Sequence, residues 1–225
     1  MSAPTAWRAD PYNDAVRSGR GPLFLRRRDG WLLPLEVERW CEAPDGGDWS
    51  VLRRCRGAVL DVGCGPGRLV AALAARGRRV LGIDLSPEAV ARTGRAGGPA
   101  LCRSVFDPLP GEGCWGTALL IDGNIGIGGD PAVLLRRMRE VTSPGGKIIA
   151  ECAVAEVDER CEVRVDDGRG GLGSPFPWAR VGVDALCGHA ERAGWRPAHR
   201  WNAAGRPFVE LIRQPPPPSC GGAEL

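Results

Sequence analysis

Residues 58–86 constrain the fold of this chain more than any other stretch. An apolar run of strand length enters a glycine-rich turn, a helical segment follows at 68–76, and a second apolar run ends on Asp84. This order is typical of a β-α-β nucleotide-binding unit, in which a helix crosses between two parallel strands. We therefore predict an α/β fold that is built around a parallel sheet.

The turn and the acid that follows it indicate the kind of ligand. Gly63, Gly65 and Gly67 have no Cβ, so the backbone can turn tightly and a ligand can approach its amides. These amides precede the predicted helix, whose N-terminal N–H groups favour a carboxylate or a phosphate, and we expect an anion there. Asp84 can accept hydrogen bonds from the two hydroxyls of a ribose and disfavours a 2′-phosphate. Together these features predict an adenosine derivative.

The spacing of the glycines separates two classes of adenosine-binding fold. Dinucleotide-binding proteins use G-x-G-x-x-G, whereas residues 61–67 read DVGCGPG. This motif resembles the first motif of the class I S-adenosylmethionine-dependent methyltransferases, and the resemblance covers about residues 59–213. It implies a Rossmann-like, seven-stranded, mostly parallel sheet with helices on both faces, and methyl transfer from S-adenosylmethionine.

The resemblance also implies which residues bind the cofactor. In that family the glycine loop takes the methionine part, and the acid that ends the second strand takes the ribose. The corresponding residues of this chain are Asp61, Gly63, Cys64, Gly65, Gly67, Asp84 and Leu85.

The adenine site departs from the family pattern. Family members often carry an acid after the third strand that holds the adenine amino group, followed by Leu-Pro. Here Ser104 stands near the position of that acid, and Asp107 is displaced towards the Leu-Pro. We predict that Ser104 and the Val105 backbone contact the adenine and that Phe106 packs nearby. Asp107 is the second choice for the adenine contact.

Polar residues follow the fourth predicted strand, where several methyltransferase subfamilies meet their substrate. Residues 117–121 are apolar, as in an interior parallel strand, and Asp122 and Asn124 come next. Because ligands bind beyond the carboxyl ends of such strands, we predict Asp122 as a cofactor contact and Asn124 as an orienting catalytic residue. Asn124→Ala should then lower turnover much more than cofactor affinity. The alternative is a glycine-rich turn that serves backbone geometry alone.

Residues 151–180 are the most individual part of the sequence. Residues 161–166 alternate like an exposed strand, and 176–180 could pair back on them. Such an excursion would overhang the active site, which makes Glu151, Arg164, Trp178 and Arg180 candidate substrate contacts. Solvent-facing hairpin residues are the alternative.

Residues 1–56 are predicted to form an N-terminal cap. They contain a turn signal within 22–33 and two short helical segments, 35–41 and 49–54, the second with Asp48 as its N-cap. Family members commonly fold such a segment over the cofactor, so Tyr12 is a candidate ligand contact; a packed surface tyrosine is the alternative. Residues 57–213 are the predicted cofactor-binding domain, and 214–225 a flexible proline-rich tail.

Composition narrows the range of partners. A net charge of +3 is too small to argue for nucleic acid, and no apolar run approaches the ~18 residues of a membrane span. The nine cysteines include no C-x-x-C pair and lie near no histidine at ligand spacing, so we expect reduced thiols, no metal and a cytoplasmic location. A small-molecule substrate is the predicted partner, and the oligomeric state stays open.

Other functions are compatible with part of this pattern. A nicotinamide-dependent oxidoreductase would share the sheet and the ribose acid, although the glycine spacing and Asp61 speak against it. A cofactor-binding enzyme with non-methyl chemistry, or a non-catalytic S-adenosylmethionine-binding module, would share every motif, because the motifs mark the cofactor and leave the acceptor unspecified. Methyl transfer to a small molecule is the predicted reaction, and a good nucleophile would need no catalytic base.

Overall fold

The structure is a computed structural model that describes residues 10–214. The predicted tail therefore lies outside the described residues except for Gln214, as do residues 1–9 of the predicted cap. The elements in chain order are α1 (Asp10–Ser18), β1 (Phe24–Arg27), β2 (Leu32–Pro34), α2 (Val37–Cys41), α3 (Gly46–Leu52), β3 (Val59–Val62), α4 (Arg68–Ala74), β4 (Val80–Asp84), α5 (Pro87–Arg95), β5 (Ala100–Cys102), β6 (Trp115–Leu120), a short 3-10 helix (Asn124–Gly126), α6 (Pro131–Val141), β7 (Thr142–Glu151), β8 (Asp158–Asp166), β9 (Phe176–Val181), α7 (Val183–Arg192), β10 (Trp195–Ala203) and β11 (Arg206–Arg213).

Seven strands form the central sheet in the order β10-β11-β7-β6-β3-β4-β5. The strands from β7 to β5 in this order are parallel neighbours, while β11 pairs antiparallel with both β7 and β10. All four residues of β3 are buried, as expected of a central strand that is covered on both faces. The predicted fold class, a seven-stranded and mostly parallel α/β sheet, is confirmed.

The two faces of the sheet carry separate parts of the core. Val59 packs with Val51 of α3 and Leu69 of α4, whereas Leu60 packs with Leu134 of α6. Because successive side chains of a strand point to opposite faces, Asp61 shares the face of Val59. Helices therefore cover both faces of the sheet, as predicted.

The order of the strands reverses between β3 and β6. From β3 the chain proceeds outward through β4 and β5, then returns to the other side of β3 with β6 and β7. Gly63 follows β3, Asp84 ends β4 and Asp122 follows β6, so all three lie at the carboxyl edge of the sheet. This edge is the place where open α/β sheets bind ligands.

Helix caps agree with the sequence at α5 and differ from it at α3. The Ser86 hydroxyl accepts the Ala89 N–H at 3.1 Å, and α5 begins at Pro87, as a serine before a proline favours. The prediction that Asp48 is the N-cap of α3 is wrong. The helix begins at Gly46, three residues before its predicted start, and Asp45 is its N-cap. The Asp45 carboxylate accepts the Asp48 N–H, and the Asp48 carboxylate accepts the Asp45 N–H. This reciprocal capping box satisfies two backbone N–H donors, more than Asp48 would satisfy as the N-cap alone.

A second sheet, of order β2-β1-β8-β9, joins the N-terminal region to the excursion after β7. The turn signal within residues 22–33 lies in the hairpin β1–β2, in which Leu25 is opposite Leu33. Leu25 also lies opposite Val165 of β8. Trp178 of β9 forms a bridge with Ile127, just after the 3-10 helix. The N-terminal strands and the excursion are thus one layer, which contacts the loop after β6.

None of the helices between residues 10 and 214 combines the length and the apolar character of a membrane span.

Candidate active site

The glycine turn between β3 and α4 depends on two close contacts. Gly63 has φ +71° and Gly67 has φ +83°, both in the left-handed region that favours glycine. A Cβ on Gly63 would lie 2.6 Å from Nδ2 of Asn124, and a Cβ on Gly67 would collide with the Thr93 side chain. Packing alone therefore requires glycine at both positions.

The backbone N–H groups of this turn all donate to protein oxygens, at 2.8–3.0 Å. Proline supplies no N–H at the remaining position of the turn. The pairs are Gly63 and Cys64 to the Ile83 carbonyl, Gly65 to the Asp84 carboxylate, and Gly67 to the Cys64 carbonyl. The N–H groups of residues 63–67 are therefore engaged within the protein, and the turn itself offers a ligand space rather than free donors.

Asp84 presents a carboxylate with spare capacity to accept hydrogen bonds. Its Oδ1 accepts the Ser86 N–H at 2.9 Å and its Oδ2 accepts the Gly65 N–H at 2.8 Å. Burial raises the pKa of Asp84, and these backbone N–H groups oppose that rise. Because each carboxylate oxygen can accept a second donor, two hydroxyls of a ribose fit here.

A cavity of about 850 Å³ lies at this edge of the sheet. It brings together most of the site residues that the sequence predicts. Those that line it are Tyr12, Gly63, Cys64, Gly65, Asp84, Leu85, Ser104, Val105, Asp122, Asn124, Glu151, Trp178 and Arg180.

Four predicted site residues do not line the cavity, nor does Asp107, the second choice for the adenine contact. Asp61 is buried behind the turn, and Gly67 packs against Thr93. Phe106 is 42% exposed, and Arg164 of β8 donates to the Gly173 carbonyl at 3.4 Å.

Tyr12 of α1 covers the glycine turn. Its ring is buried, and its hydroxyl would lie 3.6 Å from a Cβ on Gly65. Burial raises the pKa of the Tyr12 hydroxyl well above its ordinary value, and the nearby Asp84 raises it further. Tyr12 is therefore a neutral hydroxyl at physiological pH.

Asn124 uses both of its amide hydrogens on the glycine turn. Nδ2 donates to the Val62 carbonyl at 2.8 Å and to the Gly63 carbonyl at 2.9 Å. The residue thereby ties the loop after β6 to the end of β3. No N–H of its side chain is left to orient an acceptor.

A cluster of charged side chains borders the cavity, and Asp122 and Glu151 are its only members that the sequence predicts as site residues. It contains three guanidinium groups and four carboxylates, contributed by the N-terminal region, α4, the ends of β6 and β7, and the β10–β11 hairpin. The members of this charged cluster are Arg39, Arg68, Arg206, Asp45, Asp48, Asp122 and Glu151.

Two of the three arginines of the charged cluster are fully engaged, whereas Arg39 donates to Asp122 through Nη2 at 2.7 Å and its buried Nη1 has no partner within residues 10–214. Arg68 donates to Asp48 through Nε at 2.7 Å and Nη2 at 3.0 Å, and to Asp122 through Nη1 at 2.9 Å. Arg206 donates to Glu151 through Nε at 2.9 Å and Nη2 at 2.7 Å, and to Asp48 through Nη1 at 3.0 Å. Such bidentate ion pairs fix the orientation of both side chains and hold both groups in their charged state.

Asp122 lies at the centre of the charged cluster in an unusual backbone conformation. Its φ is +58°, which costs a non-glycine residue roughly 1–3 kcal/mol, and its N–H donates to Glu151 at 2.8 Å. Burial alone would raise the pKa of Asp122, but Arg68 and Arg39 hold it below the ordinary value. Asp122 is therefore ionised and committed to protein partners.

The environment of Asp61 shifts the pKa of its carboxyl in the direction opposite to that of Asp122. Burial raises its pKa to about 7, against the attraction of Arg68, and Asp122 and Asp48 add to the rise. Asp61 is thus a buried acid that titrates near neutral pH.

Apolar side chains wall the part of the cavity beneath the second sheet. We call this part the distal chamber. Its wall residues are Leu25, Leu33, Leu35, Ile127, Trp178 and Val181. Only Trp178 was predicted, because nothing in the local sequence relates β1 and β2 to a loop that lies more than 90 residues away.

Residues 59–146, from β3 into β7, match the family model described as a methyltransferase domain. This match supports the predicted family, the class I S-adenosylmethionine-dependent methyltransferases. Among curated proteins, none matches this methyltransferase in sequence.

Solved structures share the fold of this methyltransferase at low sequence identity. An S-adenosylmethionine-dependent methyltransferase from Bacteroides fragilis, in complex with S-adenosyl-L-homocysteine, superposes with a TM-score of 0.75 at 20% identity, over 90% of this chain and 92% of that chain. The 1,6-didemethyltoxoflavin-N1-methyltransferase from Burkholderia thailandensis gives 0.54 at 18% identity, over 75% and 77%. The sugar N-methyltransferase KedS8 from Streptoalloteichus sp. gives 0.55 at 18% identity, over 76% and 87%.

The methyltransferase uses S-adenosylmethionine as its cofactor, and the residues present fit it. The side of Gly65 that a Cβ would occupy is open except for the Tyr12 hydroxyl. Asp84 borders the same cavity with unused lone pairs. Space beside the turn and an acid for the ribose are the two features that this cofactor requires.

Proposed function

We propose that this methyltransferase transfers its methyl group to a small-molecule acceptor. The observation that carries the proposal is the enclosure of the site. The second sheet walls the cavity with Leu25 and Trp178, and α1 covers the glycine turn with Tyr12. A volume of about 850 Å³ for cofactor and acceptor together suits a small acceptor, since ligand pockets of this kind hold about 300–1,000 Å³.

Proteins of the same fold give this proposal secondary support. Two of the similar structures are enzymes whose names specify a small acceptor, 1,6-didemethyltoxoflavin in one case and a sugar in the other. They share only 18% of their aligned residues with this chain, so they support the class of acceptor and not its identity.

The proposed cofactor contacts divide by element. The turn after β3 would lie against the methionine part, Asp84 would accept the ribose hydroxyls, and Ser104 with the Val105 backbone would border the adenine. When bound, the cofactor supplies an activated methyl group on a sulfonium. The chain itself then has to orient the acceptor and exclude water, which can be worth effective molarities of about 10⁵–10⁸ M.

The test compares classes of acceptor. The purified enzyme would be incubated with methyl-labelled S-adenosylmethionine and, separately, a low-molecular-weight cell extract, a protein fraction and a nucleic-acid fraction. The expected result is label in the small-molecule extract, lost in the Asp84→Ala variant, which cannot hold the ribose. Label in protein or nucleic acid alone would overturn the proposal.

A further inference from the structure

We infer that Arg39 and Trp40, neighbouring residues of α2, bind a carboxylate in the cavity through side-chain N–H groups that the protein leaves unpaired. The inference goes beyond the proposed function, because it assigns a binding site whatever atom is methylated. The carboxylate can come from the methionine part of the cofactor or from an acidic acceptor, and the experiment below separates these two sources.

Two buried donors of α2 have no acceptor. Nη1 of Arg39 and Nε1 of Trp40 are the only buried side-chain nitrogen or oxygen atoms within residues 10–214 that lack a hydrogen-bond partner. Both residues line the cavity. A buried donor without an acceptor is costly, and a charged one more so, and a ligand that supplies acceptor oxygens removes this cost.

Arg39 is the arginine of the charged cluster that has a donor to spare. The side-chain nitrogens of Arg68 and Arg206 all donate to carboxylates. Arg39 makes one such bond, from Nη2 to Asp122 at 2.7 Å, and Asp122 also accepts from the other two arginines. A second carboxylate at Nη1 would complete the pairing of the Arg39 guanidinium.

An anion suits these donors better than a neutral acceptor does. A hydrogen bond from a guanidinium to a carboxylate is shorter and roughly twice as strong as one between neutral groups. The indole N–H of Trp40 only donates, so it too requires an atom with a lone pair. The charge balance permits the anion, since five guanidinium groups and five carboxylates line the cavity.

The methionine part of the cofactor supplies one such carboxylate. The N–H groups of the glycine turn are engaged within the protein, so the turn has no free donor for it. Asp122 links Arg39 to Arg68, the first residue of α4 after the turn. The Trp40 ring packs against the apolar cluster that contains Tyr12, which covers the turn. Arg39 and Trp40 therefore border the same end of the cavity as the turn.

An acidic acceptor is the other source. Leu35, a wall residue of the distal chamber, lies two residues before α2. An acceptor with an apolar body in the distal chamber and a carboxylate at α2 would use the same two donors.

Calorimetric titration with S-adenosylhomocysteine and with its decarboxylated analogue tests the cofactor as the source. The two ligands differ only in the carboxylate, so the ratio of their Kd values isolates its contribution, and a general loss of folding affects both ligands alike. Arg39→Met should lower the preference for S-adenosylhomocysteine at least about tenfold. Trp40→Phe, which keeps an aromatic ring, should lower it about tenfold.

Arg103→Met is the matched control for charge. Arg103 lines the same cavity, but it is exposed and its Nη1 donates to the Pro108 carbonyl at 2.8 Å. This variant should leave the preference unchanged. Equal effects of Arg39→Met and Arg103→Met would reveal the net charge of the cavity rather than a site, and would overturn the inference.

A second pair of ligands tests the acceptor as the source. Native and variant proteins saturated with S-adenosylhomocysteine are titrated with indole-3-propionate and indole-3-propanol, which share an apolar body. A lower preference for the acid in Arg39→Met and Trp40→Phe, with the cofactor preference unchanged, would assign the carboxylate to the acceptor. An unchanged cofactor preference, together with an unchanged preference for the indole acid or no binding of it, would overturn the inference.

The failure of this inference is distinguishable from that of the proposed function, because none of these titrations involves methyl transfer. Label confined to macromolecules would overturn the proposed function and leave the carboxylate site intact. Unchanged ligand preferences would overturn the carboxylate site and leave the proposed function intact.

Discussion

At the scale of single residues, Asn124 illustrates how hydrogen bonds decide a role that position alone leaves open. Its place after β6 predicts a contact with the acceptor. In the structure both hydrogens of its side-chain amide donate to backbone carbonyls, those of residues 62 and 63. This geometry favours a positioning residue for the glycine turn, and the expected effect of its removal changes accordingly.

Asn124→Ala should therefore weaken the binding of S-adenosylhomocysteine by about tenfold, because two hydrogen bonds that shape the turn are lost. Asn124→Asp keeps the shape but has no N–H to donate, and it should cause a similar loss. Calorimetric Kd values check both variants. Unchanged Kd values together with a lower kcat would favour the acceptor contact instead.

Asp61 makes the stability of the fold depend on pH. Its pKa is about 7 in the folded state and 3.8 in a free side chain, so the folded state binds more protons between those values. The contribution of Asp61 to the free energy of unfolding therefore falls as the pH rises through this window. In Asp61→Asn this fall is absent.

Denaturant titrations at pH 4, 5.5 and 7.5 measure the effect. The free energy of unfolding of Asp61→Asn, minus that of the native chain, should increase by on the order of a few kcal/mol from the lowest pH to the highest. The exposed change Glu162→Gln serves as the control and should give no such trend. A difference that is independent of pH would show that Asp61 does not titrate there.

At the scale of elements, the charged cluster joins the N-terminal region to strands of the central sheet with which Asp45 and Asp48 share no pairing. Arg206, from the β10–β11 hairpin, contacts Asp45 and Asp48 of the N-terminal region and Glu151 at the end of β7. Its side chain is only 12% exposed. The hairpin and the N-terminal region are therefore held together by buried charge.

Arg206→Met should lower the free energy of unfolding by roughly 3–5 kcal/mol, because it leaves buried carboxylates without a partner. Arg200→Met is the matched control: Arg200 lies on β10 of the same hairpin and pairs with the exposed Asp184. That variant should have little effect. Thermal and denaturant unfolding measure both, and equal losses would contradict the importance of the cluster.

The elements also show where prediction from sequence succeeds and where it stops. The β3-α4-β4 unit and the cap of α5 depend on residues within a few positions of each other, so their motifs are readable. The pair Arg206–Asp45 spans 161 residues, and Arg26–Asp166 spans 140. No local pattern encodes such partners, which is why the charged cluster and the joint second sheet were missed.

At the scale of the whole molecule, one edge of the sheet gathers the site. The reversal of strand order at β3 and β6 brings the glycine turn, Asp84 and Asp122 together. The second sheet and α1 then enclose the space above them, and the charged cluster borders it. The fold class followed from the motifs, whereas the enclosure depends on the pairing of β1 with β8 and is visible only in the structure.

The most direct test of this account is calorimetric titration of the native chain and of Asp84→Ala with S-adenosylhomocysteine and, separately, with NAD. The native chain should bind S-adenosylhomocysteine and not NAD, and Asp84→Ala should bind S-adenosylhomocysteine at least about tenfold more weakly, since the ribose loses both of its acceptors. Binding of NAD alone, or equal binding of S-adenosylhomocysteine by both proteins, would contradict it.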